Sequence, residues 1–187
     1  MLFRSLFLAL GALGLTLLAG CASDSQYSRP PEPTYETAAR NELVSTNYRA
    51  ADHLLNQVRS YEDDGPMLVA TLVNIDALDR SSTLGRLISE QVAARFAQQG
   101  RRMIELKLRN NMYMRKSEGE LALTREITEV ARQHNAKAVL LGSYGLSGDS
   151  VFINLKVVQP GSTLVLAAYD YVLPLNREIR SLLGLPR

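Results

Sequence analysis

The 187-residue chain has no tryptophan, a single cysteine and two histidines, and only 6% of it is aromatic. Each shortage removes a class of explanation. One cysteine, Cys21, excludes an intrachain disulfide. His53 and His134 lack a neighbouring Cys, Asp or Glu at ligand spacing, so no metal site is expected. The missing Trp argues mildly against a groove that stacks carbohydrate rings. Charge of one sign is absent too: 21 Lys and Arg stand against 19 Asp and Glu, a net +2 that makes no demand for nucleic acid. Ser143, Ser147 and Ser150 have no G-x-S-x-G setting. Gly142, Gly145 and Gly148 do not precede a helix as a dinucleotide fingerprint requires, and are read as permitting close backbone approach or a bulge. No catalytic residue, cofactor or metal is assigned, and an enzyme is not expected.

What is present begins at the N-terminus. Arg4 is followed by an apolar run from Leu6 to Leu18, the length of a secretory signal and short for a membrane span. Leu18-Ala19-Gly20-Cys21 then resembles closely the processing site of bacterial lipoproteins. Small residues at 19 and 20 let a peptidase reach the backbone, and Cys21 supplies the sulfur for a thioether to diacylglycerol. One acyl chain anchors only marginally, whereas two or three hold a protein to the membrane. An aspartate after the cysteine tends to retain lipoproteins in the inner membrane of Gram-negative bacteria. Here Ala22 stands in that place, so the resemblance implies a periplasm-facing anchor in the outer membrane.

Removing residues 1–20 leaves 167 residues, with 20 basic and 19 acidic side chains, enough for one domain and a tail. Residues 21–38 are polar and contain Pro30, Pro31 and Pro33. Such a composition favours extended, solvated backbone and is read as a tether reaching at most about 50 Å.

From residue 39 onward, periodicity predicts one α/β domain with a mixed sheet, in the order α-β-α-β-α-β-β-β-α. The first helix is expected over about 40–59, with an apolar face of Val44, Tyr48, Ala51, Leu55 and Val58. Met67–Val73 reads as one strand buried on both faces. Asp76 and Asp79 lie in the following loop, where they could bind a cation, although turn formation and helix capping are favoured. Ser81 or Ser82 caps a second helix to about Gln99, buried through Leu84, Leu87, Ile88, Val92 and Phe96, with Gly100 as its terminator. A strand follows over 102–108. Thr124 then caps a third helix with Ile127, Val130, Ala131 and His134 inward and Asn135 at its end. Ala138–Tyr144 reads as a central strand and Gly148-Asp149 as a hairpin turn. Alternation from Val151 to Val157 gives the next strand one wet face. Pro160-Gly161 turns the chain into a strand over 163–172, and Asn176 caps a short terminal helix.

Between 101 and 117, Arg101, Arg102, Lys107, Arg109, Arg115 and Lys116 face a single acid, Glu105, with Met112 and Tyr113 among them. A solvated, charge-rich loop explains this. A contact surface with Arg and Tyr as anchors is the sharper alternative, weakened by Glu118 and Glu120.

Three blocks carry a family resemblance: VATLVNIDALDRSSTLGRLISEQVAARFAQQG, RRMIELKLRNNMYMRKSEGELALTREI and NAKAVLLGSYGLSGDSVFINLKVV. From Val69 to Pro174 the chain resembles the FlgO domain family of flagellar outer-membrane lipoproteins. It is similar more loosely to periplasmic domains of the TolB N-terminal, LpoB and CsgG type. The FlgO resemblance implies a non-enzymatic accessory at the outer-membrane passage of the flagellum, supporting assembly or stability and hence motility. Its implied partners are flagellar basal-body or ring proteins. Peptidoglycan binding and self-association are further expectations to test. The alternative reading is an LpoB-like regulatory lipoprotein acting on cell-envelope machinery, which a tether of about 50 Å fits less well.

Overall fold

The computed structural model describes residues 34–60, 65–105, 127–162 and 164–186. The lipobox, most of the tether and most of the basic stretch lie outside these residues. Helix α1 (Tyr35–Ala39) is a single short turn with no buried side chain. The remaining elements are helix α2 (Glu42–Gln57), continued by a 3-10 turn at Val58–Ser60, and strands β1 (Met67–Val69) and β2 (Val73–Asn74). Helix α3 (Thr83–Gln98) and strand β3 (Met103–Glu105) follow. Helix α4 is described over residues 127–133. Strands β4 (Ala138–Ser147), β5 (Ser150–Val158) and β6 (Val165–Pro174) and helix α5 (Arg177–Leu183) complete the domain.

The sheet is mixed, as expected, with the order β3-β1-β4-β5-β6. Strands β3, β1 and β4 run parallel, while β4, β5 and β6 form an antiparallel meander. Helices occupy both faces. On one side α2, α3 and α5 cover a large core in which Leu54, Leu84, Ile88, Val92, Phe96 and Leu140 are fully buried with the whole inner row of β5, Val151 to Val157. On the other side α4 covers a smaller core of Leu68, Ala70, Ile127, Ala131 and Val139. Two-sided cover explains why the parallel strands are almost wholly apolar, while β5 alternates.

The expected strand over 67–73 is broken in two, and the register says why. Val69 pairs with Leu140 and Val73 with Ser143, so four steps on one strand match three on its neighbour. One extra residue is inserted. Because side chains alternate with period two, such an insertion reverses the facing of everything after it. Leu68 and Ala70 point toward α4, yet Leu72 points into the main core. Its backbone has left the ladder and takes side-chain partners instead. The Leu72 N–H donates to Ser89 Oγ at 2.9 Å, and its carbonyl accepts from Ser81 Oγ at 2.6 Å. Two glycines make the room. A Cβ at Gly85 would lie 2.6 Å from the Leu72 carbonyl oxygen, and one at Gly142 would lie 2.7 Å from Leu72 Cγ.

Helix ends follow the sequence. Ser82 accepts from the Gly85 N–H, and Asn176 accepts from the Ile179 N–H, as N-caps do. Gly100 takes a φ of 85° after α3. There Gly100 donates to the Ala97 carbonyl and Arg101 to the Phe96 carbonyl, a Schellman closure. Asn135, at φ 52°, ends α4 the same way, with Ala136 donating to the Ala131 carbonyl at 2.7 Å. That closure corrects one expectation. His134 is exposed, because the helix stops at 133 and Ala136 takes the inward place.

Helix α2 brings the second correction. Ala51, Leu55 and Val58 are buried as expected, but Val44 is 37% exposed and Tyr48 lies at the margin. The centre of the buried face runs through Leu43, Asn47, Ala50 and Leu54. A search for apolar repeats passes over Asn47, which is fully buried. Its amide donates to Gln91 Oε1 at 2.6 Å, and its oxygen accepts from the Tyr171 hydroxyl. One amide thus joins α2, α3 and β6.

Two expectations test these contacts. Ser89→Ala leaves the Leu72 N–H unpaired in the core and should destabilise the fold by about 1–3 kcal/mol in urea unfolding, the cost of a buried unsatisfied donor; a loss under a few tenths would refute the role given to Ser89. Burial, then the neighbouring Tyr169, raises the Tyr171 hydroxyl above its ordinary range. The folded state therefore holds this proton more tightly than the unfolded chain. Its contribution is complete below the unfolded value and should be lost as pH climbs beyond about 10. Thermal melts across that range should show a shallower decline for Tyr171→Phe, which is already weaker at neutral pH because Asn47 Oδ1 loses its donor.

Candidate functional site

The α4 side of the sheet is covered only in part among the described residues, and its open portion is the best-formed candidate site. Alternation on β5 puts Phe152, Asn154, Lys156 and Val158 on this face, and the register extends each into a row. Val139 and Val158 lie in the row nearest α4. Next comes Leu141, Lys156 and Ala168, then Ser143, Asn154 and Asp170, and finally Gly145, Phe152 and Val172. Together with the 73–78 loop, the 159–162 turn and α4, the first three rows form a groove of about 670 Å³, and the row of Gly145, Phe152 and Val172 lies beside it.

The floor is polar and internally paired at Asn154, whose Nδ2 donates to Asp170 Oδ1 at 2.9 Å. The row beside it is apolar. Phe152 is 46% exposed and Val172 50%, and Ile75, 53% exposed, reaches over Gly145. A wet face on β5 was expected, but an apolar end to it was not. The signal was legible: Phe152 interrupts the polar half of an otherwise regular alternation. The inserted residue before Val73 matters here too. It sends Leu72 inward, and the chain beyond it brings Ile75 onto this face, with the Ile75 N–H donating to the Tyr144 carbonyl at 2.9 Å.

Other residues singled out in the sequence do not assemble into chemistry. Asp76 and Asp79 are exposed. Asn74, rather than either aspartate, makes the turn by accepting from the Asp76 N–H at 2.9 Å, and Ser82 does the capping. His53 is stacked on Tyr169, with ring centroids 4.6 Å apart and planes 8° from parallel. Among the described residues no three His, Cys, Asp or Glu side chains are grouped to hold a metal, and no helix is long and apolar enough to cross a membrane. Of the glycines in β4 and its hairpin, Gly142 permits a close approach and Gly148, at φ 57°, makes the turn. Of the basic stretch, Arg101 and Arg102 are described, at the end of α3. Lys107, Arg109, Tyr113, Arg115 and Lys116 lie outside the described residues, as does Cys21.

Among the described residues, a mixed sheet with parallel crossovers first and a meander last, covered by helices on one face and half open on the other, defines a small α/β domain. The sequence model of the FlgO protein family matches residues 48–178, and the chain belongs to that family. The expected likeness to LpoB holds at the level of fold. The LpoB C-terminal domain from Salmonella enterica aligns with a TM-score of 0.52 at 11% identity, covering 72% of this chain and 99% of that one. The LpoB C-terminal domain from Escherichia coli aligns with a TM-score of 0.47 at 11% identity, over 68% and 97% of the two chains. None of the curated protein sequences matches this one.

The apolar row beside the groove is half exposed, so its side chains contribute little to folding. Phe152→Ser combined with Val172→Ser should leave the unfolding free energy within about 0.5 kcal/mol of the wild type per site. A loss of several kcal/mol in urea titration would mean that this row is core rather than contact surface.

Proposed function

We propose that this protein is a non-enzymatic lipoprotein of the outer membrane that supports flagellar assembly or stability, and hence motility, through protein contacts. Family membership over residues 48–178 is the observation that carries the reading. The exposed row of Ile75, Phe152 and Val172 beside a groove supports it physically. Aromatic and aliphatic side chains standing half out of a sheet are the kind of anchor that protein interfaces bury.

In this reading residues 1–20 are the export signal and Cys21 bears the lipid, with Ala22 directing the chain to the outer membrane. Residues 21–38 are the tether and 39–187 the contact domain. The tether confines the domain to within about 50 Å of the membrane. Flagellar ring or basal-body proteins are the proposed partners, reached from the periplasmic side.

Two measurements test this. Cys21→Ala should abolish recovery with the outer membrane on fractionation; recovery of the wild-type chain in the cytosol would refute the anchor. In a deletion strain, the wild-type gene should restore swimming, while Phe152→Asp with Val172→Asp should not, although the variant accumulates to the same level. Restoration by the variant would remove this face from the function. Normal motility combined with defective wall growth in the deletion strain would instead favour the LpoB-like alternative.

A further inference from the structure

On the helical side, the C-terminal ends of α2 and α3 meet at a depression of about 320 Å³ whose polar lining is Asp52, Asn56, Arg59, Arg95, Gln99 and Arg101. Three guanidinium groups face one carboxylate. That carboxylate is already committed. Arg95 Nε donates to Asp52 Oδ1 at 2.8 Å and its second nitrogen to Asp52 Oδ2 at 3.0 Å, a two-pronged pair. The Tyr48 ring lies 5.5 Å from the same guanidinium, and Gln98 bonds to the Tyr48 hydroxyl. The hydrogen bond to Asp52 holds the Arg95 group above its ordinary pKa. Arg95 is therefore a fixed, neutralised wall.

Arg59 and Arg101 are in a different condition: neither has an acidic partner among the described residues. A cation at each helix C-terminus would be explained by the helix dipole alone. Dipole compensation does not explain why the two line one recess, where among the described residues the one carboxylate is already paired with Arg95, nor why two side-chain amides line it with them. Their backbones are also held. Arg101 is tied by its N–H to the Phe96 carbonyl in the closure after Gly100, and Arg59 sits in the 3-10 turn that ends α2. Leu55, 7% exposed, also lines the recess, and an apolar lining strengthens any ionic contact made against it.

We propose that this recess binds the terminal carboxylate of a short peptide. Arg59 and Arg101 would grip the carboxylate, and the Asn56 and Gln99 amides would pair with the last peptide bond. Guanidinium groups match the planar, two-oxygen geometry of a carboxylate, and the volume suits one or two residues rather than a folded partner. The site lies at the opposite end of α2 from Glu42, about 24 Å along a 16-residue helix. Two sources present this group in the envelope: protein C-termini, made of L-residues, and cell-wall stem peptides, which end in D-residues.

The test uses the full chain in detergent, labelled for NMR, titrated with N-acetyl-alanyl-alanine in its L,L and D,D forms. The C-terminal amides of both peptides and inorganic phosphate are the controls. Saturable shifts at Asn56, Arg59, Gln99 and Arg101 with a free acid, and not with its amide, support the site. Preference for the D,D or the L,L acid identifies the source. Arg59→Ala with Arg101→Ala should weaken binding by about tenfold or more, since both charge-assisted contacts are lost, while the melting temperature stays near the wild-type value. Equal response to acid and amide, a response to phosphate alone, or unchanged affinity in the double variant would each overturn the proposal.

Discussion

Leu72 sits where the sheet stops being regular, and the surrounding structure is arranged around satisfying its backbone. A buried N–H or carbonyl without a partner costs as much as several good contacts gain. Removing one residue from the ladder between β1 and β2 therefore demands replacement donors and acceptors close by. Ser81 and Ser89 supply them from just before α3 and from about two turns further along. Gly85 lets that helix come near enough, and Ser82 caps it at the same point. Leu72 in turn fills the space that Gly142 leaves in β4. The docking of α3, the facing of Leu72 and the exit of the 74–82 loop are one solution to one hydrogen-bonding problem.

From that solution the two sides of the sheet acquire different fates. The side bearing α2, α3 and α5 closes into the main core, stitched by the Asn47 amide between Gln91 and Tyr171. Among the described residues the side bearing α4 is partly open, with a polar groove floor and an exposed apolar row beside it. A domain made this way holds β-rows out to solvent, with no metal-holding cluster among its described residues. Half-exposed apolar side chains on such rows are the kind that protein interfaces bury. The recess between the ends of α2 and α3 has the opposite chemistry, cationic and polar. The two surfaces are thus fit for different kinds of ligand.

Much of the fold was legible because it follows from local chemistry. The period of three to four in 84–96, the strict alternation of 151–157, the caps Ser82 and Asn176, and the terminators Gly100 and Asn135 are read from the residues alone, since each works within a few positions of itself. The family resemblance was legible for the same reason, as ordered blocks of sequence. Asn47 was missed because its burial is allowed only by Gln91 and Tyr171, 44 and 124 residues away. His134 was misplaced because a helical stripe continued on paper past a closure that turns the chain out. Phe152 could have been noticed as an apolar residue on the wet half of β5, but nothing local says whether a helix covers it.

The sequence by itself determined the class of domain, the order of its elements and, through Cys21 and its lipobox, the expected place of work. These are properties of composition and short-range periodicity, and no distant partner is needed to express them. Only the tertiary structure decided that residues 67–73 are two strands, that Leu72 faces the main core, and which exposed residues stand together. Facing depends on register, and register is a relation between strands about 70 residues apart. A single inserted residue reverses it without leaving a mark in the local pattern.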